Sequence, residues 1–214
     1  MDIYGLIFSP FMARAVIAAR HKGLKHKVTM PKDGIKSPAF LKMNPFGKMP
    51  VLKDGAVTLY ESGVIVEYLD AKYKSKRLVP TVAKAAAHTR LIAAVVGEYI
   101  QPNIFVLWRQ MDPAKRDQAV FDAKLAELKT AYDALEKLIS PKPYAAGNKL
   151  TIADVYAVPA LFWLGSVMPR IGIANPFTGH KKLNKYWANV KKDKMLSGVL
   201  AEMEAGLKAF ETRA

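Results

Sequence analysis

Apolar and polar positions divide the chain into two halves of different rhythm. From Asp2 to Phe8 the residues Ile3, Tyr4, Leu6 and Ile7 form a short, nearly continuous apolar run, the pattern of a buried strand. Ser9-Pro10 follows, and a serine at N-cap with proline at N1 predicts a helix start. That helix carries Phe11, Ala15, Ile17, Ala18 and Ala19 to Lys22, with Gly23 as its stop. Lys25 to Met30 reads as a second strand, Pro31 to Pro38 as a polar loop and Ala39 to Met43 as a short helix. Next, Val51-Leu52 and Val57-Thr58-Leu59-Tyr60 flank Asp54-Gly55. This is a hairpin signal, because both central residues of a type I′ turn need positive φ. Pro50 opens the third strand and cannot donate to the ladder, so it marks an edge, a loop-to-strand junction or a cis bond. Ser62 to Tyr73 is helical, with Val64, Ile65, Tyr68 and Leu69 on one face. The order βαβαββα predicts a small α/β domain with a mixed sheet over residues 1–76.

The basic stretch Lys74 to Pro80 breaks this pattern and predicts a linker at 77–83. Beyond it no strand-like alternation remains, so residues 84–214 are expected to be all-helical. Ala83 to Met111 forms a long helical run that Pro102 should kink. Arg116 to Ile139 places Phe121, Leu125, Leu128, Tyr132, Leu135 and Leu138 at helical spacing. Thr151 to Val167 is apolar nearly all round and therefore central, and Lys181–Val190 and Met195–Phe210 complete the chain.

Composition narrows the chemistry more than the fold. The 214 residues contain no cysteine, which excludes disulfides, thiolate metal sites and cysteine nucleophiles. No basic n-region precedes an apolar core at the N-terminus, and no run approaches a membrane span, so the expectation is a cytoplasmic protein without a membrane partner. The four histidines show no metal-ligand spacing, and no metal is expected. The formal charge of +15 favours anionic partners. Its lysines are spread out and not interleaved with base-stacking aromatics, which points to a solvated surface before a substrate-attracting rim and argues against nucleic acid.

Two short stretches can carry chemistry. Ser9 lies where a strand meets a helix, and helix N–H groups plus a hydroxyl favour an anion there. A thiol bound at that point, with a free pKa of about 8.5, needs roughly 2.7 kcal/mol of preferential stabilisation to drop by two units. The plainer alternative is that Ser9 only caps its helix. Glu61-Ser62 offers a carboxylate and a hydroxyl at a second helix start, suited to the ammonium and carboxylate of a small zwitterion. Here too the alternative is Ser62 as a simple N-cap.

Tyr4-Gly5-x3-Ser9-x4-Arg14, Lys36-Ser37-Pro38, Asn44-Pro45-Phe46-Gly47-Lys48-Met49-Pro50 and Tyr60-Glu61-Ser62 together resemble the glutathione-binding domain of the glutathione transferases, most of all the phi class. Leu150-Thr151-Ile152-Ala153-Asp154 is similar to that family's capping box, so the resemblance spans nearly the whole chain. It implies a thioredoxin-like first domain and glutathione as co-substrate. It also implies a homodimer that conjugates the glutathione thiolate to hydrophobic electrophiles, with peroxidase activity as an additional expectation. Ser9 would stabilise the thiolate, and Lys36 and Lys48 would approach the glycyl carboxylate. Met49, before a cis Pro50, would pair its backbone with the cysteinyl part, while Glu61 and Ser62 take the γ-glutamyl end. Phe8, Phe11 and Met12, with Phe105, Trp108, Met111, Phe162 and Trp163 of the second domain, are the candidates for the electrophile pocket. Ile35 and Lys48 depart from the His and Gln common in the family. Tyr4 competes with Ser9, because other classes use an N-terminal tyrosine, but its mid-strand place reads as packing. The rival to an enzyme is a non-catalytic ligand carrier or protein- or RNA-associated module of the same fold, for which the charge is the best support.

Overall fold

The computed structural model describes residues 1–140 and 142–212. Strands β1 (Asp2–Tyr4), β2 (Lys27–Thr29), β3 (Val51–Asp54) and β4 (Val57–Tyr60) form one sheet in the order β2-β1-β3-β4. The β1–β2 pair is parallel, and β1–β3 and β3–β4 are antiparallel, giving the mixed sheet read from the sequence. Helices α1 (Pro10–His21) and α2 (Pro38–Met43) connect them, and α3 (Ser62–Lys72) follows β4. The core of this unit is Ile3 and Leu52 from the sheet with Ile17, Ile65 and Leu69, all fully buried.

The hairpin is displaced by one residue from its sequence reading. Asp54 pairs with Val57, so the two-residue loop is Gly55-Ala56. Of these only Gly55 has positive φ, at 63°. A glycine at the first central position is what a type II′ turn requires, and Asp54 stays in the strand.

The remaining helices are α4 (Ala83–Ala94), α5 (Gln101–Arg109), α6 (Gln118–Leu138), α7 (Ile152–Val167), α8 (Lys181–Lys192) and α9 (Lys194–Glu211). The expected kink at Pro102 takes another form: Val95–Ile100 are a π-helical segment joining α4 to α5, and Pro102 follows it as the second residue of α5 within one continuous helical stretch. Contrary to the sequence expectation, two helical stretches, Ala83–Arg109 and Ile152–Ile171, are long and apolar enough to cross a membrane. The second is the central core helix, with Val155, Ala157, Val158, Ala160, Leu161 and Leu164 fully buried. Pro159 lies inside it.

Contacts divide the chain into two compact units: Met1–Leu78 together with the chain from Asp193 onward, and Val79–Lys192. Helix α9 thus joins the first unit although its sequence reads as part of the helical half. Gly206 lets it approach the sheet side, since a Cβ there would lie 3.2 Å from Ile7. Arg20 holds Glu202 through two hydrogen bonds of 2.8 Å. The end of the first unit is closed by Lys22, whose fully buried ammonium meets Asp70 at 2.7 Å and the carbonyls of Tyr73 and Ser75 at 2.7 and 3.1 Å. A buried charge is tolerated only when paired and hydrogen-bonded in this way.

In the second unit Asp154 goes well beyond a capping box. It is fully buried and accepts hydrogen bonds from the N–H groups of Ala145 and Thr151 at 2.7 and 2.8 Å. It also accepts from the hydroxyls of Thr151 and Tyr186, at 3.2 and 3.0 Å. Burial pushes its pKa up to about 6 against these bonds, which pull it down. Helix α8 has its own distant cap: both carboxylate oxygens of Glu136 accept from the N–H groups of Lys182 and Leu183, at 2.8 and 2.9 Å. Replacing Glu136 by Ala is expected to cost about 1–2 kcal/mol of stability by urea unfolding, the range of a lost N-cap.

Candidate functional site

In the first unit the two motif stretches and α1 meet around one small cleft. A cavity of about 130 Å³ is lined by Phe11 of α1, by Asn44, Lys48, Met49 and Pro50, and by Glu61 and Ser62. Its size suits an amino-acid-sized group rather than a whole drug-sized ligand.

The loop before β3 is fixed from within. Asn44, only 1% exposed, donates to the Lys48 carbonyl at 2.7 Å and accepts from the Phe46 N–H at 3.1 Å. Gly47 has φ of 57°, and a Cβ there would come within 2.9 Å of the Lys36 Nζ and 3.0 Å of the Ile35 carbonyl. Glycine is therefore what allows Lys36 to lie against this loop, where its ammonium donates to the Phe46 carbonyl at 3.4 Å. Both Lys36 and Lys48 stay exposed. The Met49–Pro50 peptide is cis, and the Met49 sulfur accepts the Leu6 N–H at 3.2 Å. The motif in the sequence gives Asn44 and Gly47 no role. The structure shows that they shape the loop.

The start of α3 differs from the simple cap expected of Ser62. Glu61 holds the N-cap position, with φ of 67° and ψ of 112°, and its side chain makes no capping bond. A non-glycine residue in such a conformation costs on the order of 1–3 kcal/mol, a strain typical of functional sites. Its carboxylate is left exposed beside the cleft. Ser62 is instead the first helical residue, 5% exposed, and accepts a hydrogen bond from Arg14 at 3.4 Å. Arg14, only 4% exposed, lies 4.9 Å over the Phe11 ring. A buried guanidinium thus backs the Ser62 hydroxyl and adds positive potential at this wall.

Ser9 precedes α1 with extended φ and ψ, and its side chain makes no capping bond. Ser9 thus occupies the N-cap position expected of it, and the Ala13 N–H donates to its carbonyl at 2.9 Å, but its hydroxyl does no capping. Its hydroxyl stands half-buried at the helix N-terminus, two residues before Phe11 of the cleft. Tyr4 is half-buried within β1.

The electrophile candidates scatter. Phe11 lines the cleft itself, Phe8 packs on Phe210 of α9 with ring centroids 5.0 Å apart, and Met12 is fully buried beside Gly5. In the second unit Trp163, 2% exposed, gathers Phe105 and Trp108 at 6.0 and 5.4 Å. Met111 and Phe162 are half-buried. Met12 and Trp163 thus offer almost no surface to a ligand. Among the described residues no group of three or more His, Asp or Glu could hold a metal ion.

Comparison with known proteins assigns both halves. The family model "Glutathione S-transferase, N-terminal domain" matches residues 3–77, and "Glutathione S-transferase, C-terminal domain" matches 92–193. Glutathione S-transferase 3 of Zea mays is 32% identical over 165 residues, covering 72% of this chain and 73% of the relative. Maleylpyruvate isomerase of a Ralstonia species is 31% identical over 169 residues, covering 74% and 80%. The solved structure of glutathione S-transferase III in apo form superposes with a TM-score of 0.77 at 28% identity, covering 94% of this chain and 95% of that one.

Proposed function

Because the chain belongs to the glutathione transferase family, in its phi-like branch, and has that family's α/β plus all-helical architecture, we propose that it is a serine-type enzyme in which Ser9 holds glutathione as the thiolate. The observation that carries this reading is the Ser9 hydroxyl, which makes no capping bond, at the N-terminus of the helix whose Phe11 lines a cleft with zwitterion chemistry; Ser9 itself is not among the lining residues. Glu61 takes the γ-glutamyl ammonium. Ser62, backed by Arg14, takes its carboxylate together with the N-terminus of α3. The backbone of Met49 before Pro50 pairs with the cysteinyl residue, and Lys36 and Lys48 neutralise the glycyl carboxylate. The thiolate then attacks an electrophilic carbon of a hydrophobic substrate. The new bond is sulfur to carbon, and the leaving group departs with its electron pair. A peroxide oxygen is the alternative target.

Residues 1–76 serve as the glutathione-binding domain, 77–83 as the linker and 84–214 as the helical part of the chain, whose last helix, α9, belongs to the first compact unit. In the first unit Phe8 and Phe11 are the apolar side chains offered to the electrophile, with Met12 as packing; in the second, taken by itself, Phe105, Trp108, Met111 and Phe162 are the candidates, with Trp163 as packing. The protein acts in the cytoplasm as a homodimer. Phe46, 58% exposed and edge-on to Tyr60, is the side chain offered to the partner. Phe46→Ala is expected to weaken self-association at least tenfold by sedimentation equilibrium. An unchanged dimer would remove Phe46 from the interface.

The strain at Glu61 gives a test that separates binding from folding. Glu61→Gly is expected to leave stability unchanged or raise it by about 1 kcal/mol, because glycine tolerates positive φ. The same change should raise the glutathione KM tenfold or more. A destabilised variant with normal KM would make Glu61 structural. Retention of the wild-type protein on immobilised glutathione, followed by an aryl-halide conjugation assay, tests the function as a whole. Retention without turnover would favour the carrier reading.

A further inference from the structure

The high positive charge has no part in the glutathione site beyond two or three side chains, and the structure shows where some of it is concentrated. Helix α8 carries Lys181, Lys182, Lys185, Lys191 and Lys192 and no acidic residue. Its apolar stripe, Leu183, Tyr186 and Val190, is buried, which fixes the lysines that face outward. At 3.6 residues per turn, Lys181, Lys185 and Lys192 fall on one line roughly opposite that stripe and span about 16 Å. Lys182 lies about a quarter-turn to one side and Lys191 about a quarter-turn to the other. Lys137 of α6 adjoins the first flank, its carbonyl accepting from the Lys182 ammonium at 3.3 Å. The exposed surface of α8 is therefore a convex ridge with cations on its crest and on both flanks.

The carboxylates of Asp133, Glu136 and Asp193 each hold another group. Asp133 is held by His180 at 2.8 Å and Lys129 at 3.1 Å, and Glu136 caps the backbone of α8. Asp193 caps α9 through the N–H groups of Met195 and Leu196. Like charges four residues apart, as in Lys181 and Lys185, cost a helix a few tenths of a kcal/mol. An external polyanion would reverse that cost.

We propose that the α8 ridge is a docking surface for double-helical nucleic acid, contacting its phosphates without reading sequence. A groove walled by phosphates on both sides matches cations on both flanks of a ridge, and a major groove about 12 Å wide admits a helix. A flat bilayer would meet the crest alone, and α8 has no free apolar face to insert because Leu183, Tyr186 and Val190 are buried. Tyr186 is buried and Trp187 packs on Phe177 at 6.3 Å, so no ring projects for base stacking. The helix register thus gives an order to lysines that look scattered along the sequence.

The test uses the whole protein and a fluorescently labelled DNA duplex of about two helical turns, followed by anisotropy at about 50 mM salt. The variant Lys181→Gln/Lys185→Gln/Lys192→Gln is compared with Lys25→Gln/Lys27→Gln/Lys53→Gln, which removes the same charge from exposed positions of the first unit. Wild type should bind, the ridge variant should lose at least tenfold in affinity with a salt slope smaller by about two to three, and the control should stay within about twofold. Glutathione conjugation should persist in both variants, reporting an intact fold. Absence of duplex binding by wild type, or equal losses in the two variants, overturns the proposal. So does binding to phosphatidylserine vesicles that depends on the ridge while duplex binding does not.

Discussion

Ser9→Ala lowers kcat/KM for conjugation by about tenfold near neutral pH and leaves glutathione affinity within about twofold. The magnitude follows from the thiol. Lowering a pKa of about 8.5 by about two units takes roughly 2.7 kcal/mol, and each 1.36 kcal/mol is tenfold in rate. A helix N-terminus supplies part of that and survives the substitution; the hydroxyl supplies the donor aimed at the sulfur. Because the Ser9 side chain makes no capping bond, its loss should not disturb α1, so the variant reports chemistry rather than folding. The bound thiol of the variant is expected to titrate well above that of the wild type. Affinity is retained because Glu61, Ser62, Met49, Lys36 and Lys48 hold the rest of the tripeptide. Unchanged turnover would turn attention to Tyr4.

Asp154→Ala is expected to remove about 3–5 kcal/mol of stability by urea unfolding, a large part of a usual total of about 5–15. Three buried donors, the N–H groups of Ala145 and Thr151 and the hydroxyl of Tyr186, lose their acceptor at once. Thr151→Ala removes a single cap partner and should cost about 1 kcal/mol. Equal losses from the two substitutions would reduce Asp154 to an ordinary cap. Its pH dependence has a definite sign. The folded pKa, about 6, lies above the ordinary 3.8, so the folded protein takes up this proton first as pH falls. The wild-type advantage over Asp154→Ala is therefore constant above about pH 6 and widens by up to about 3 kcal/mol on going down to pH 4.

Local signals in the sequence are legible where one residue fixes its own backbone. Ser9-Pro10 places the start of α1, the apolar Thr151–Val167 run places the core helix, and Glu61-Ser62 reads as a carboxylate and hydroxyl pair at a helix start. What escaped depends on contacts between distant residues. Arg14 reaches Ser62 across 48 positions and Tyr186 reaches Asp154 across 32, and no spacing rule connects either pair. Glu136 caps a helix 46 residues away. The turn at Gly55-Ala56 shifted by one residue because strand pairing, rather than the Asp-Gly dipeptide, sets the register. Helix α9 reads like the rest of the helical half, and only the small Gly206 against Ile7 and Phe8 hints at its place in the first unit. The electrophile residues were the least legible, because an aromatic at helical spacing is equally suited to core and surface. Met12 and Trp163 proved to be core.

The central claim is that one serine and one zwitterion site divide the recognition of glutathione. A crystal structure with glutathione bound tests it most directly. The γ-glutamyl group should lie against Glu61 and Ser62, and the sulfur within about 3.5 Å of the Ser9 hydroxyl, the reach of a hydrogen bond to sulfur. A sulfur that meets the Tyr4 hydroxyl instead, or a tripeptide bound away from Glu61-Ser62, would contradict the account.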